Sequence, residues 1–129
     1  MSITPSAQTN AAPAPSAVLD AERLDVYHVA LEFQPEAAAL SERCDAVLRD
    51  QLRRASLSIL LNLAEGAGQV SRPQKRRFYG ISRGSAMECA AIVDVLLVRA
   101  LAPRLDCRRA RALLVRIVQM LSKLDRSLA

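Results

Sequence analysis

The 129-residue sequence has no tryptophan, two tyrosines, two phenylalanines, four glycines, three cysteines and a single histidine. Each shortage excludes something. A β-sheet protein of this length ordinarily draws on more aromatic residues, threonine and glycine in its strands and turns, so a sheet fold is disfavoured. Cys44, Cys89 and Cys107 are odd in number and widely spaced, which leaves neither a disulfide framework nor a CxxC metal or redox motif. His28 alone cannot build a multi-histidine metal site and argues against a His-centred triad. The N-terminus lacks the basic start and unbroken apolar stretch of a signal peptide. No uncharged apolar run approaches the roughly 18 residues that a membrane span requires. The expectation is a soluble, cytoplasmic, single-domain protein with no metal, no cofactor and no membrane partner.

What is present is aliphatic and basic. Hydrophobic residues make up 51% of the chain, dominated by 22 Ala and 19 Leu, a composition that favours helices. Lys and Arg number 18 against 13 Asp and Glu, for a net charge of +5. The excess is uneven: residues 1–50 hold three basic and eight acidic groups, whereas residues 51–84 hold seven and one. Sixteen of the basic residues are Arg, whose planar guanidinium makes bidentate contacts to phosphate that Lys cannot.

Residues 1–19 carry three prolines and no charge before Asp20, and are expected to form a disordered tail ahead of a helical domain over 20–129. A first helix is expected from Asp20, with Leu24, Tyr27, Leu31 and Ala38 on one face and an interruption at Pro35. A second is expected over Asp45–Glu65, with Leu48, Leu52, Ala55, Ile59 and Leu63 as its stripe and Gly66 and Gly68 ending it. Its opposite side is apolar too, through Leu57, Leu60, Leu61 and Ala64, which marks these four as an interface to another subunit. Ser71-Arg72-Pro73-Gln74 is a helix start with Ser71 as cap, and this third helix should reach about Ala102. After Pro103, Asp106 is a candidate cap for a fourth helix carrying Ala110, Leu114, Ile117, Leu121, Leu124 and Leu128. The fold class is therefore all-α, an antiparallel up-down four-helix bundle.

On the third helix, with Phe78 at 0° and ~100° per residue, Ile81, Ile92, Val95 and Leu96 define a core arc that takes in Ser85 and Glu88. Asn62 and Glu65 fall inside or beside the corresponding arc of the second helix. Buried carboxylates cost several kcal/mol unless partnered, so Asn62, Glu65, Ser85 and Glu88 are expected to form a structural polar network, with Arg54 as a further partner. The catalytic alternative, paired carboxylates at work in an active site, is the weaker one: di-metal carboxylate bundles use Glu-x-x-His pairs, and the last three helices have no His. Arg72, Arg76, Arg83 and Tyr79 lie opposite the core arc as one basic stripe with one aromatic. Such a stripe can track a phosphate backbone and stack a base, although a single basic run is ordinarily a solvated helix face.

The segments Gln51-Leu52-Arg53-Arg54-Ala55, Ser58-Ile59 and Asn62-Leu63-Ala64-Glu65-Gly66-Ala67-Gly68, followed by Ser71, Phe78 and Gly84-Ser85-Ala86-Met87-Glu88, add more specific information. Over roughly residues 24–128 the chain resembles the four-helix-bundle proteins encoded by intervening sequences in bacterial 23S ribosomal RNA genes. A related branch comprises the accessory variability determinants of diversity-generating retroelements. The resemblance implies an up-down bundle assembled into a homopentameric ring, without enzymatic activity. For the retroelement branch it also implies a basic surface that binds nucleic acid and an association with a reverse transcriptase. Asn62, Glu65, Ser85 and Glu88 stand at the family's signature positions.

Together these readings predict a non-enzymatic, ring-forming bundle that binds RNA or DNA through Arg53, Arg54, Arg72, Lys75, Arg76, Arg77, Tyr79 and Arg83. The alternative is a structural module whose basic face docks an acidic partner protein, such as a reverse transcriptase or a ribonucleoprotein component.

Overall fold

A computed structural model describes residues 18–129, so the expected tail falls outside the described residues except for Val18 and Leu19. A short 3-10 turn over Asp20–Arg23 precedes four helices: α1 Asp25–Ser41, α2 Ala46–Ala67, α3 Arg72–Val98 and α4 Arg104–Leu128. Each helix packs against the next, and α4 returns to α1, while the diagonal pairs α1/α3 and α2/α4 stay apart. This is the antiparallel up-down bundle that the four apolar stripes and short connections dictate.

Helix boundaries follow local chemistry. Asp45 caps α2 by accepting from the Leu48 N–H at 2.9 Å, and Ser71 caps α3 by accepting from the Gln74 N–H at 3.2 Å. Pro73 sits in the first turn of α3, where its missing N–H costs nothing. The C-terminus of α3 is closed by a Schellman pair: the Leu101 N–H reaches the Leu96 carbonyl at 2.9 Å and the Ala100 N–H reaches that of Leu97 at 3.1 Å. Ala100 takes the left-handed position at φ 56°, usually a glycine's place, and α3 therefore stops before the predicted Ala102. Two cations finish other helix ends. Arg49 donates from Nε to the carbonyl of Ser41, the last residue of α1, at 3.3 Å and from Nη2 to that of Cys44 in the following turn at 3.0 Å, and Lys75 donates to the carbonyl of Ala67, the last residue of α2, at 3.0 Å.

Several sequence expectations are corrected. The first helical turn at Asp20 is 3-10, and α1 proper starts at Asp25. Pro35 does not interrupt α1, which runs through it with the proline ring exposed. The core face of α1 is Val26, Val29, Ala30, Phe33, Ala37 and Leu40; Leu24 and Tyr27 are half-buried beside it, and Leu31 and Ala38 are exposed. Two stripes compete on this helix, and the one that buries Phe33 completely prevails. Such burial is worth about 1.5–3 kcal/mol for a side chain of this size. Gly66 lies inside α2 rather than ending it, and Gly68 is the C-cap. Asp106 stands in the first turn of α4, whose N-cap is Pro103. The expected stripes of α2 and α4 agree with the structure: Leu52, Ala55, Ile59 and Leu63 are buried, as are Ala110, Leu114, Ile117 and Leu121.

Candidate nucleic-acid interface

The largest correction concerns the orientation of α3. Its buried residues are Tyr79, Ser82, Ala86, Cys89, Ile92, Val93 and Leu96, which places the core-facing arc about a quarter turn from the one drawn through Phe78 and Ile81. Small residues set this orientation. Ser82 is fully buried and donates from Oγ to the Ile59 carbonyl at 2.7 Å, tying α3 to α2. A Cβ on Gly66 would lie 2.7 Å from Tyr79 Cε1, so the tyrosine ring rests on the bare glycine of α2. Ile81, at 41% exposure, faces out instead. Tyr79 is only 3% exposed, and burial, reinforced by the charge of Asp20, pushes its hydroxyl above the usual range. It is a core residue and cannot stack a base from the surface.

The expected polar network forms in a different composition. Ser58 and Ser85 share a hydrogen bond of 2.7 Å across α2 and α3, and the Asn62 side-chain amide donates to Ser58 Oγ at 3.0 Å and to the Ser58 carbonyl at 2.9 Å. All three residues are half-buried. Glu65 and Glu88 are exposed and, among the described residues, do not join these bonds; Glu65 accepts from the Gln69 amide at 3.3 Å. Desolvation is the physical reason, since a carboxylate left in water avoids a cost that a buried one must recover through partners. Arg54 is exposed as well and, among the described residues, makes no ion pair with either carboxylate. Ser58, outside the expected set, belongs to the network; four residues before Asn62, it shares that residue's face of α2.

Five of the seven expected cations fall into two groups, and Lys75 and Arg77 stand apart. Arg53 and Arg54 lie on the outer side of α2, with Arg53 3.6 Å from Glu42. On the same side Leu57 is 49% and Leu61 56% exposed and Ala64 is exposed, whereas Leu60 is half-buried and packs against the core. Arg72, Arg76 and Arg83 lie on the side of α3 that faces α4. Arg76 grips Asp125 with two bonds, Nε to Oδ1 at 2.8 Å and Nη2 to Oδ2 at 3.2 Å. That hydrogen bonding draws the Asp125 carboxyl below its ordinary range, with the charges of Arg76, Arg83 and Arg126 acting in the same direction. Arg83 donates from Nε to Ser122 Oγ at 2.8 Å. Lys75 is half-buried at the end of α2, and Arg77 lies 5.1 Å over the Phe78 ring, a cation–π distance. Arg126, which lines the same α3/α4 groove, is absent from the expected set; only the packing of α4 beside α3 brings it there.

The thiols are shielded from solvent. All three cysteines are buried and free, and burial raises each thiol above its usual value, Cys89 to about 12. His28 is exposed, with Nε2 2.8 Å from the Glu22 carbonyl. Among the described residues, no three His, Cys, Asp or Glu side chains come close enough to hold a metal ion, and no helix is long and apolar enough to cross a membrane.

Comparison with known proteins agrees with this architecture. A crystal structure of a protein of unknown function from the S23 ribosomal protein family of Bacteroides thetaiotaomicron superposes with a TM-score of 0.74 at 20% identity, covering 78% of this chain and 97% of that one. No curated protein matches the sequence significantly. Residues 22–123 match the family described as 23S rRNA-intervening sequence protein, nearly the whole of the four helices. The chain therefore belongs to the 23S rRNA-intervening sequence protein family.

Proposed function

We propose that the protein is a non-enzymatic, ring-forming bundle that binds RNA or DNA through its basic surface. The observation that carries this reading is the alignment of Arg72, Arg76 and Arg83 along one edge of α3, where Arg126 of α4 shares a groove with Arg83. Guanidinium groups in a row suit a phosphate backbone, whose spacing they can follow with bidentate contacts. Arg53 and Arg54 extend the basic surface on α2, and Arg77 and Lys75 flank it near the α2/α3 turn.

Assembly is supported by the outer side of α2, where Leu57, Leu61 and Ala64 remain exposed after the monomer core is complete. We take these three side chains as the subunit contact, with Arg53 and Arg54 flanking it on α2 and left to the basic surface, and five as the subunit number, following the family resemblance. Repetition around a ring multiplies weak phosphate contacts into appreciable affinity. A non-catalytic role accords with the buried, protonated thiols and with His28 engaged by the Glu22 carbonyl.

The test is a gel-shift titration against structured RNA and duplex DNA at two salt concentrations, comparing wild type with Arg72→Glu/Arg76→Glu/Arg83→Glu. Binding that weakens with salt and is abolished by the triple change is expected. No shift with either nucleic acid, or a shift indifferent to charge and salt, would contradict the reading and hand the basic face to an acidic protein partner. Light scattering at micromolar concentration tests the assembly, with a pentamer expected and a monomer contradicting it.

A further inference from the structure

The basic edge of α3 is not a flat surface. Between α3 and α4 runs an open groove of about 340 Å³, lined by Gly80 and Arg83 on one side and by Ser122, Asp125 and Arg126 on the other. That is room for roughly ten waters by volume. Gly80 borders it at the rim. A Cβ built there meets nothing within 4 Å, so no packing inside the monomer calls for glycine, yet glycine weakens a helix interior relative to alanine.

The groove holds more positive than negative side chains, with Arg83 and Arg126 lining it beside the single carboxylate of Asp125. Arg109 has two carboxylates, Glu36 and Asp106, and Arg53, Arg111 and Arg116 have one each. Arg76 bonds the Asp125 carboxylate from beside the groove, and the charges of Arg83 and Arg126 act on it as well. Arg76 alone takes that carboxylate in a two-bond fork. Arg83 spends its Nε on the Ser122 hydroxyl, which fixes the guanidinium plane, and its outer N–H groups have no carboxylate partner among the described residues. Arg126 has no ion pair among the described residues either. A hydroxyl, a fork-shaped donor held in place and further positive charge beside an open floor are the components of a phosphate seat.

We propose that this groove seats a backbone phosphate of the bound nucleic acid, and that Asp125 is a built-in stand-in anion that occupies Arg76 until the phosphate arrives. The inference rests on the nucleic-acid reading above and locates it at Gly80, Arg83, Ser122, Asp125 and Arg126. Arg83 and Arg126 bind the phosphate, Gly80 leaves it space, and Asp125 weakens binding by competing for Arg76. The groove thereby sets a sign that a plain basic surface does not: neutralising an exposed acidic residue at this one place should strengthen binding far more than neutralising one elsewhere.

Fluorescence anisotropy of the full-length protein with a short labelled single-stranded RNA, and with duplex DNA of the same length, tests this. Asp125→Asn should bind on the order of tenfold more tightly than wild type, while Glu32→Gln, at the exposed pair with Arg116 between α1 and α4, should change affinity by less than about twofold. Gly80→Glu, which adds a carboxylate at the groove rim, should weaken binding on the order of tenfold, and Gly80→Gln should weaken it less. Arg126→Gln should reduce the slope of log affinity against log salt by about one. Circular dichroism melts confirm that each variant is folded, and Asp125→Asn carries the test if Gly80→Glu is not. If wild type binds and both Asp125→Asn and Gly80→Glu stay within about twofold of it, the groove assignment is overturned while the nucleic-acid reading stands. If wild type binds neither nucleic acid, the reading fails and the groove assignment falls with it.

Discussion

Gly66 and Gly80 show how differently one residue type serves the two edges of α3. At the edge facing α2, Gly66 is buried under the Tyr79 ring and has no room for a methyl group. Ser82 and the Ser58–Ser85 pair complete a close, neutral seam there. At the edge facing α4, Gly80 borders open space and the side chains are charged: Arg76 on Asp125 and Arg83 on Ser122. Close packing of small residues fixes the first edge. Ion pairs span the second without sealing it, because exposed pairs hold side chains weakly and leave room between them. The comparison separates what holds the bundle together from what is left available to a ligand.

The strongest way to break the comparison is to fill the sealed edge. Gly66→Ala should lower unfolding stability by about 1–3 kcal/mol in urea titration, since the new Cβ forces the Tyr79 ring or the helices to move. In a Tyr79→Val background the same change should cost less, and a strictly additive double mutant would show that the ring is not what Gly66 accommodates. Ser82→Ala removes a fully buried hydroxyl bond and should cost about 1 kcal/mol by the same titration, with the midpoint lowered and the slope unchanged.

The open edge should respond in the opposite direction. Gly80→Ala should raise stability by about 1 kcal/mol, because the methyl meets no neighbour and alanine is the better helix former. A loss would mean that the edge is more crowded than described. The smallest effect belongs to Asp125, whose folded-state pKa is depressed chiefly by its hydrogen bonds to Arg76. A depressed carboxylate stabilises above its unfolded pKa and loses that contribution as pH falls through the folded value. The melting temperature of wild type should therefore slightly exceed that of Asp125→Asn near neutral pH, and the two should converge as pH drops below the lowered pKa. A gap that persists in strong acid would assign the effect to something other than charge.

The contrast between the edges also explains how far the sequence could be read. Ile59, Leu63, Leu114 and Ile117 announce their helix faces because they are large, apolar and regularly spaced. The same rule misorients α3, where the buried face is made of Ser82, Ala86 and Cys89, small residues chosen for close approach rather than hydrophobicity, and where Tyr79 is buried only because Gly66 on another helix makes room. Ser85 and Asn62 were legible as interior polar groups, whereas Glu65 and Glu88 share their helical positions but remain in solvent. Of the basic residues, Arg72, Arg76 and Arg83 could be placed on one stripe from their own helix. Ser122, the partner of Arg83, lies 39 residues further along and Asp125, the partner of Arg76, 49, and no local periodicity connects them.

The most direct test of the account is where a bound strand lies. Photocrosslinking of 4-thiouridine RNA to the folded protein, followed by peptide mass spectrometry, should place crosslinks in the segments around Gly80–Arg83 and Ser122–Arg126. Crosslinks confined to the outer side of α2, from Val47 to Leu61, would contradict it.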